Sequence, residues 1–176
     1  MIGDRWGVSD DEVTGHYPCD DLVPAPSLQL WRGVTVHTTP DRVWPWVTQI
    51  QCAPYSYDWL DNFGQRSPQQ LLDLPAPIPG QHFTSTANRP QGRLLSIEPQ
   101  VHYTGCVLGA VLSYVLVPAD ESTRLLLKIV TSTWGLLAPV VSVGDLVMAR
   151  RQLLKLKQLA ENPPGHTGRV QPQRRA

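Results

Sequence analysis

The feature that most constrains this chain is the run from residue 111 to residue 161, which reads as a β-hairpin followed by one long amphipathic helix. Residues 111–117 and 123–133 are rich in Val, Leu and Ile and flank a turn signal, Pro118-Ala119-Asp120-Glu121-Ser122. In the second run Arg124, Lys128 and Ser132 share one parity, while Leu125, Leu127, Ile129 and Thr131 share the other. Side chains alternate faces along a strand, so this pattern predicts one wet face and one covered face. A sheet with one apolar face needs a second layer over it. Residues 143–161 supply that layer: Leu146, Ala149, Leu153, Leu156 and Ala160 recur at steps of three and four, with Arg151, Lys155 and Gln158 on the opposite face.

Upstream, Leu28, Leu30, Gly33/Val34 and Val36 mark a first strand that stops at His37-Thr38-Thr39-Pro40. Thr39, Pro40 and Asp41 form a helix start, with a hydroxyl N-cap, proline at the first position and an acid in the first turn. Pro45 lies inside the pattern and predicts a helix that is short, kinked or broken there. Residues 54–63 begin at a proline and end at Gly64, which predicts a second short helix with a glycine C-cap. A loop with weak helical character at 69–72 follows, then short extended pieces at 82–86, 93–98 and 101–107. Residues 1–27 hold no period of 2 or 3.6 and read as an arm packed on the domain through Trp6 and Tyr17. Residues 28–161 form the domain, and residues 162–176 read as a disordered tail. Strand, two short helices, antiparallel strands and a terminal helix is the order of an α+β, helix-grip fold. In it a curved antiparallel sheet wraps a long C-terminal helix and encloses an apolar cavity.

Composition narrows the function classes. The 176 residues suit one domain. Lys+Arg and Asp+Glu each number 15, so there is no basic field to draw nucleic acid or an anionic membrane. Cys19, Cys52 and Cys106 are odd in number and far apart, which suits reduced thiols in a cytosol better than disulfides or a zinc site. The start MIGDRWGVSDDEV lacks a basic and apolar leader, which argues for a cytoplasmic protein. The apolar stretches at 101–117 and 135–149 are too short and too interrupted for membrane spans. Phosphate loops, GxSxG, HExxH and metal-spaced Cys/His clusters are absent from the sequence, so no cofactor and no metal are expected.

Titratable groups that a cavity of this kind would bring together are Tyr55, Tyr57, Asp58, Asp61, His82, His102, Tyr103, Tyr114 and Asp145. An aldol-type cyclase or a dehydratase needs a base beside a carbonyl and a donor for the enolate, which a histidine and a tyrosine would supply if they converge. The alternative for each histidine is a hydrogen-bonded residue at a strand edge. Asp58 and Asp61 either share a face as paired carboxylates or lie on the solvated side of a short helix. Tyr55, Tyr57, Trp59 and Phe63 form the densest aromatic cluster, suited to a cavity mouth or to plain core. Arg150, at the edge of the helix stripe, either holds a ligand carboxylate, or turns its head to solvent or pairs with a nearby acid. Trp134 either plugs the open end of the cavity or belongs to the core. The ligand-contacting set expected is therefore Tyr55, Tyr57, Trp59, His82, Tyr103, Tyr114, Trp134 and Arg150.

Several stretches carry a family resemblance: TVHTTPDRVWPWVTQI, YSYDWLDN, SYVLVPADESTRLLLKI and DLVMARRQLLKLKQLAE, with WGVSDDEV and DDLVP before them. Together they resemble the polyketide cyclase/dehydrase and lipid-transport superfamily (START-like, SRPBCC), notably its actinobacterial branch, over roughly residues 5–161. The chain departs from that branch before YSYD, where only Gln51-Cys52-Ala53-Pro54 replaces a longer Gly- and Arg-containing loop. The resemblance implies a hydrophobic cavity between sheet and long helix. Three functions follow as expectations: binding or carriage of a small hydrophobic or amphipathic ligand, cyclisation or dehydration of a polyketide-like substrate, or an interaction module with a collapsed pocket. Fold alone does not choose among them.

Overall fold

The computed structural model of the protein describes residues 3–56, 64–132 and 138–162, the last with side chains from Val147 onward. Its N-terminal part runs through strand β1 (Arg5–Trp6), helices α1 (Asp10–Thr14) and α2 (Pro18–Leu22), strand β2 (Leu28–Val36) and helix α3 (Pro40–Thr48). Strands β3 (Thr84–Thr86), β4 (Arg89–Gln91), β5 (Arg93–Glu98), β6 (His102–Val107), β7 (Ala110–Ala119) and β8 (Ser122–Thr131) follow, and helix α4 (Ala138–Glu161) closes the described chain. The main sheet has the order β1-β2-β8-β7-β6-β5, and β3 and β4 pair separately. The sheet is curved and mixed: every pairing in it is antiparallel except β1 with β2.

One face of the sheet carries Leu28, Leu30, Val34 and Val36 of β2, Tyr103, Tyr114 and Leu116 of β6 and β7, and Leu125, Leu127 and Ile129 of β8. Against it pack Val43, Trp46 and Val47 of α3, and Ala149, Leu153, Leu156, Leu159 and Ala160 of α4. Residues 149–160 thus bury the stripe that the three-and-four spacing predicts. The end of α4 is tied to β2, where the Glu161 carboxylate accepts the His37 amide at 2.7 Å.

The opposite face is not wet, which corrects the reading of the Arg124/Lys128 parity. Lys128 is 4% exposed, and Leu126 and Val130 on the same parity are buried with Trp31, Tyr17 and Cys19 in a second apolar cluster. The cover is the N-terminal arm. Its backbone is more regular than its lack of period suggests: Ser9 caps α1, its Oγ accepting the Glu12 amide at 3.2 Å while the Glu12 carboxylate accepts the Ser9 amide at 2.8 Å. That capping box was present in the sequence as Ser9-Asp10-Asp11-Glu12. Arg32 of β2 is also buried, its Nη1 donating to the Asp4 and Trp31 carbonyls at 2.7 and 2.8 Å. The run of apolar neighbours around it concealed that charge.

Three local expectations change: the Thr39 cap, the helical character at 69–72 and the width of the β7–β8 turn. Thr39 stands at the N-cap of α3, but its hydroxyl makes no capping bond; its carbonyl accepts from Arg42 and Val43 instead. α3 runs past Pro45 for less than a turn and tightens into a 3-10 turn, Gln49–Gln51. Residues 69–72 form no helix, being held open by Gln49, and the β7–β8 turn narrows to Asp120-Glu121. The predicted helix at 54–63 falls mostly on 57–63, outside the described residues, as does the tail from residue 163.

Candidate functional site

Beside residues 149–160 the interior holds a buried apolar cluster. Phe83 stacks on Tyr103 with centroids 5.2 Å apart and leans on Tyr114 at 6.3 Å. The Tyr103 hydroxyl donates to the Phe83 carbonyl at 2.8 Å, and the Tyr114 hydroxyl donates to Gln152 Oε1 at 2.6 Å. Gln152 Nε2 in turn donates to the Pro54 carbonyl at 2.6 Å. Burial pushes the Tyr103 phenol well above its ordinary pKa, which keeps it neutral as a donor. Both tyrosines are therefore hydrogen-bonded packing residues along this half of the helix.

The pocket formed by described residues lies on the other side of α4. Its floor is the outer face of that helix, Val147, Arg150, Arg151, Leu154, Lys155 and Gln158; its wall is Tyr55, Ser56, Arg66, Ser67 and Gln69. The volume is about 700 Å³. Two bonds join wall to floor: Ser56 Oγ donates to the Met148 carbonyl at 3.1 Å, and Arg151 Nε donates to the Ser56 carbonyl at 3.2 Å. Tyr55 sets the wall. Its φ of +55° is rare for a bulky residue. Its hydroxyl accepts from Gln49 Nε2 at 2.5 Å, and its amide donates to Ser67 Oγ at 3.3 Å. Gln49 also donates to the Gln70 carbonyl at 2.9 Å and accepts the Leu72 amide at 2.8 Å, so one buried glutamine anchors the loop from both sides.

Of the residues expected to meet ligand, the structure brings Tyr55 and Arg150 to this pocket. The Arg150 guanidinium lies 5.1 Å from the Trp6 ring centroid. Tyr103 and Tyr114 sit in the core, and His82 is exposed in the segment before β3. Tyr57, Trp59 and Trp134 lie outside the described residues, with Asp58, Asp61 and Phe63; the Asp145 side chain does too. Missed by the sequence reading are Arg66, Val147, Leu154 and the polar face of α4. A signal existed: Val147 and Leu154, seven apart, interrupt a face otherwise made of Arg, Lys and Gln, and they are 48% and 42% exposed.

His102 lies away from the pocket, on the sheet face opposite Tyr103. Its Nε2 is 3.2 Å from Ser96 Oγ, and its Nδ1 is 3.9 Å from Glu98 Oε2. The order of groups mimics a nucleophile, a base and an orienting acid, but 3.9 Å is beyond hydrogen-bond reach and the described pocket lies elsewhere. Burial lowers the His102 pKa, against an opposing pull from Glu98. Among the described residues no group of three or more His, Cys, Asp or Glu gathers as a metal site would require, and no helix is long and apolar enough to cross a membrane.

No family model matches the sequence, and no curated protein matches it. Solved structures do. The Polyketide_cyc-like protein Cgl2372 from Corynebacterium glutamicum is similar over 85% of this chain and 100% of its own, with a TM-score of 0.51 at 14% identity. Protein MLL2253 from Mesorhizobium loti is similar over 74% of this chain and 95% of its own, with a TM-score of 0.51 at 14% identity. Protein NE0264 from Nitrosomonas europaea is similar over 77% and 95%, with a TM-score of 0.50 at 12% identity. The sheet order, the terminal helix across one face and these likenesses agree: the chain has a helix-grip fold, similar to that of the Polyketide_cyc-like protein Cgl2372.

Proposed function

We propose that the protein binds a small amphipathic molecule in the pocket between the outer face of α4 and the wall formed by Tyr55, Ser56, Arg66, Ser67 and Gln69. The observation that carries this reading is a hollow of about 700 Å³ with Val147 and Leu154 exposed on its floor and polar groups at its margin. That size and that mixture suit a small-molecule site. The location differs from the sheet-to-helix cavity expected of the fold, because Phe83, Tyr103, Tyr114, Leu153 and Leu156 occupy the space along the C-terminal half of the helix. A cyclase or dehydratase would need a histidine or acid within reach of an interior tyrosine. Among the described residues the Tyr103, Tyr114 and Tyr55 hydroxyls bond to the Phe83 carbonyl, Gln152 and Gln49. Binding is therefore the better supported function.

Titration with the neutral apolar dye Nile red tests the site. The wild type should enhance its fluorescence saturably, and Leu154→Asp, a change at an exposed position, should weaken the dye at least tenfold. Equal affinity in the two proteins would remove this pocket as the binding site.

A further inference from the structure

We infer that the pocket selects an anionic amphipath, its carboxylate or phosphate-monoester head held by Arg66, Arg150 and Lys155 and its apolar body laid on Val147 and Leu154. The inference rests on the binding function proposed above and specifies the ligand class. Arg66, Arg150, Arg151 and Lys155 bring four cationic side chains to one hollow, and no carboxylate stands among the described residues that line it. The chain as a whole carries equal numbers of acids and bases, so this concentration is local rather than a share of a basic surface. Several described cations elsewhere meet acids, Arg124 with Glu12, Lys128 with Asp20 and Lys157 with Glu161, while Arg32 meets backbone carbonyls. Around Arg150 and Lys155 the described neighbours are neutral. Arg150 lies over the Trp6 ring, and Lys155 Nζ is 3.5 Å from Gln158 Oε1.

Cations brought to one hollow repel one another, and an anion among them relieves that repulsion more strongly than water does in a partly enclosed site. A guanidinium also offers a fork of N–H donors that fits carboxylate and phosphate oxygens in pairs. The two exposed aliphatic residues argue against a bare inorganic anion, since only a ligand with an apolar part would cover them. Charge and apolar surface together therefore specify both halves of the ligand.

The test uses the full chain at low ionic strength, with calorimetric titration of decanoate, decyl phosphate, decan-1-ol and inorganic phosphate. Decanoate or decyl phosphate should bind at least tenfold more tightly than decan-1-ol, with the advantage shrinking as salt is added. Whichever of the two anions binds more tightly identifies the head group. The double variant Arg66→Gln/Lys155→Gln should remove most of that advantage, while Leu154→Asn should weaken all three alkyl ligands. Equal affinity for decanoate, decyl phosphate and decan-1-ol would overturn the anionic selection while leaving the binding function standing. Inorganic phosphate binding as tightly as decyl phosphate would overturn the amphipathic half. Absence of binding by every alkyl ligand would overturn the binding function itself, and this inference with it.

Discussion

At the residue scale Gly105 is a tight constraint. A Cβ there would lie 2.1 Å from Phe83 Cδ2 and 2.5 Å from Phe83 Cγ, so the aromatic stack on Tyr103 exists because position 105 has no side chain. Forcing a methyl group into that contact costs about 1–3 kcal/mol, which for a chain of this size lowers Tm by roughly 2–10 °C. Gly105→Ala should show that drop in a thermal melt, and a Phe83→Leu background should reduce it by making room; an additive pair would mean the ring is not what the alanine meets. Tyr103 and Tyr114 were legible as important residues but not as buried ones, because short strands fix which parity faces inward only through their register with neighbours. His102 gives a second residue-scale test. Its folded pKa lies below 6.5, so the fold favours the neutral ring; the associated stability is present above 6.5 and is lost as pH falls through the lowered value. Urea unfolding at pH 7 and pH 5 should show a smaller acid loss for His102→Gln than for the wild type. The same loss in both would assign the effect to other groups.

At the scale of elements the arm decides how the sheet is covered. Arg124 Nε and Nη2 donate to the two carboxylate oxygens of Glu12 at 2.7 and 2.9 Å, Arg124 also donates to the Gly7 carbonyl, and Lys128 Nζ meets Asp20 Oδ1 at 2.6 Å. Lys128 also lies 5.2 and 5.1 Å from the Tyr17 and Trp31 ring centroids. These two strand cations were read as solvated because alternation in a strand reports only that its faces differ, not what covers the polar one. The cover comes from over a hundred residues away, in a segment whose one-turn helices are too short to show a period. Chiefly through its bonds from Arg124, Glu12 holds its pKa below 4.5, so its contribution is present above that value and is lost as pH falls through the lowered one. Glu12→Gln should cost about 1–2 kcal/mol at pH 7, the worth of a charge-assisted pair near the surface. The difference from the wild type should narrow below pH 4.5, and a difference independent of pH would mean that the carboxylate charge is not what secures the arm.

At the scale of the whole molecule, the order of elements was readable because each rests on a local signal: the hairpin alternation, the Thr39-Pro40 start, the stripe on α4. The pocket was not, since it forms where Tyr55, Ser56 and residues 66–69 meet the outer face of a helix about eighty to ninety residues later, and no local pattern records that meeting. The same reasoning sets how the molecule unfolds. Strands β2 and β8 carry Leu30, Leu125, Leu127 and Ile129 toward α4, and Trp31, Leu126 and Val130 toward the arm, so the two apolar clusters share one backbone. Releasing the arm alone would expose Trp31 and Val130 and leave Lys128 beside apolar surface without Asp20. That cost opposes local detachment, which a two-residue β1 pairing would not prevent by itself. We therefore expect one cooperative transition. With 5-fluorotryptophan incorporated and the 19F resonances assigned, Trp31 under the arm and Trp46 under α4 should lose their native signals at the same urea concentration. An earlier midpoint for Trp31 would show that the arm is a separate, weaker unit, and would leave the sheet and α4 to fold without it.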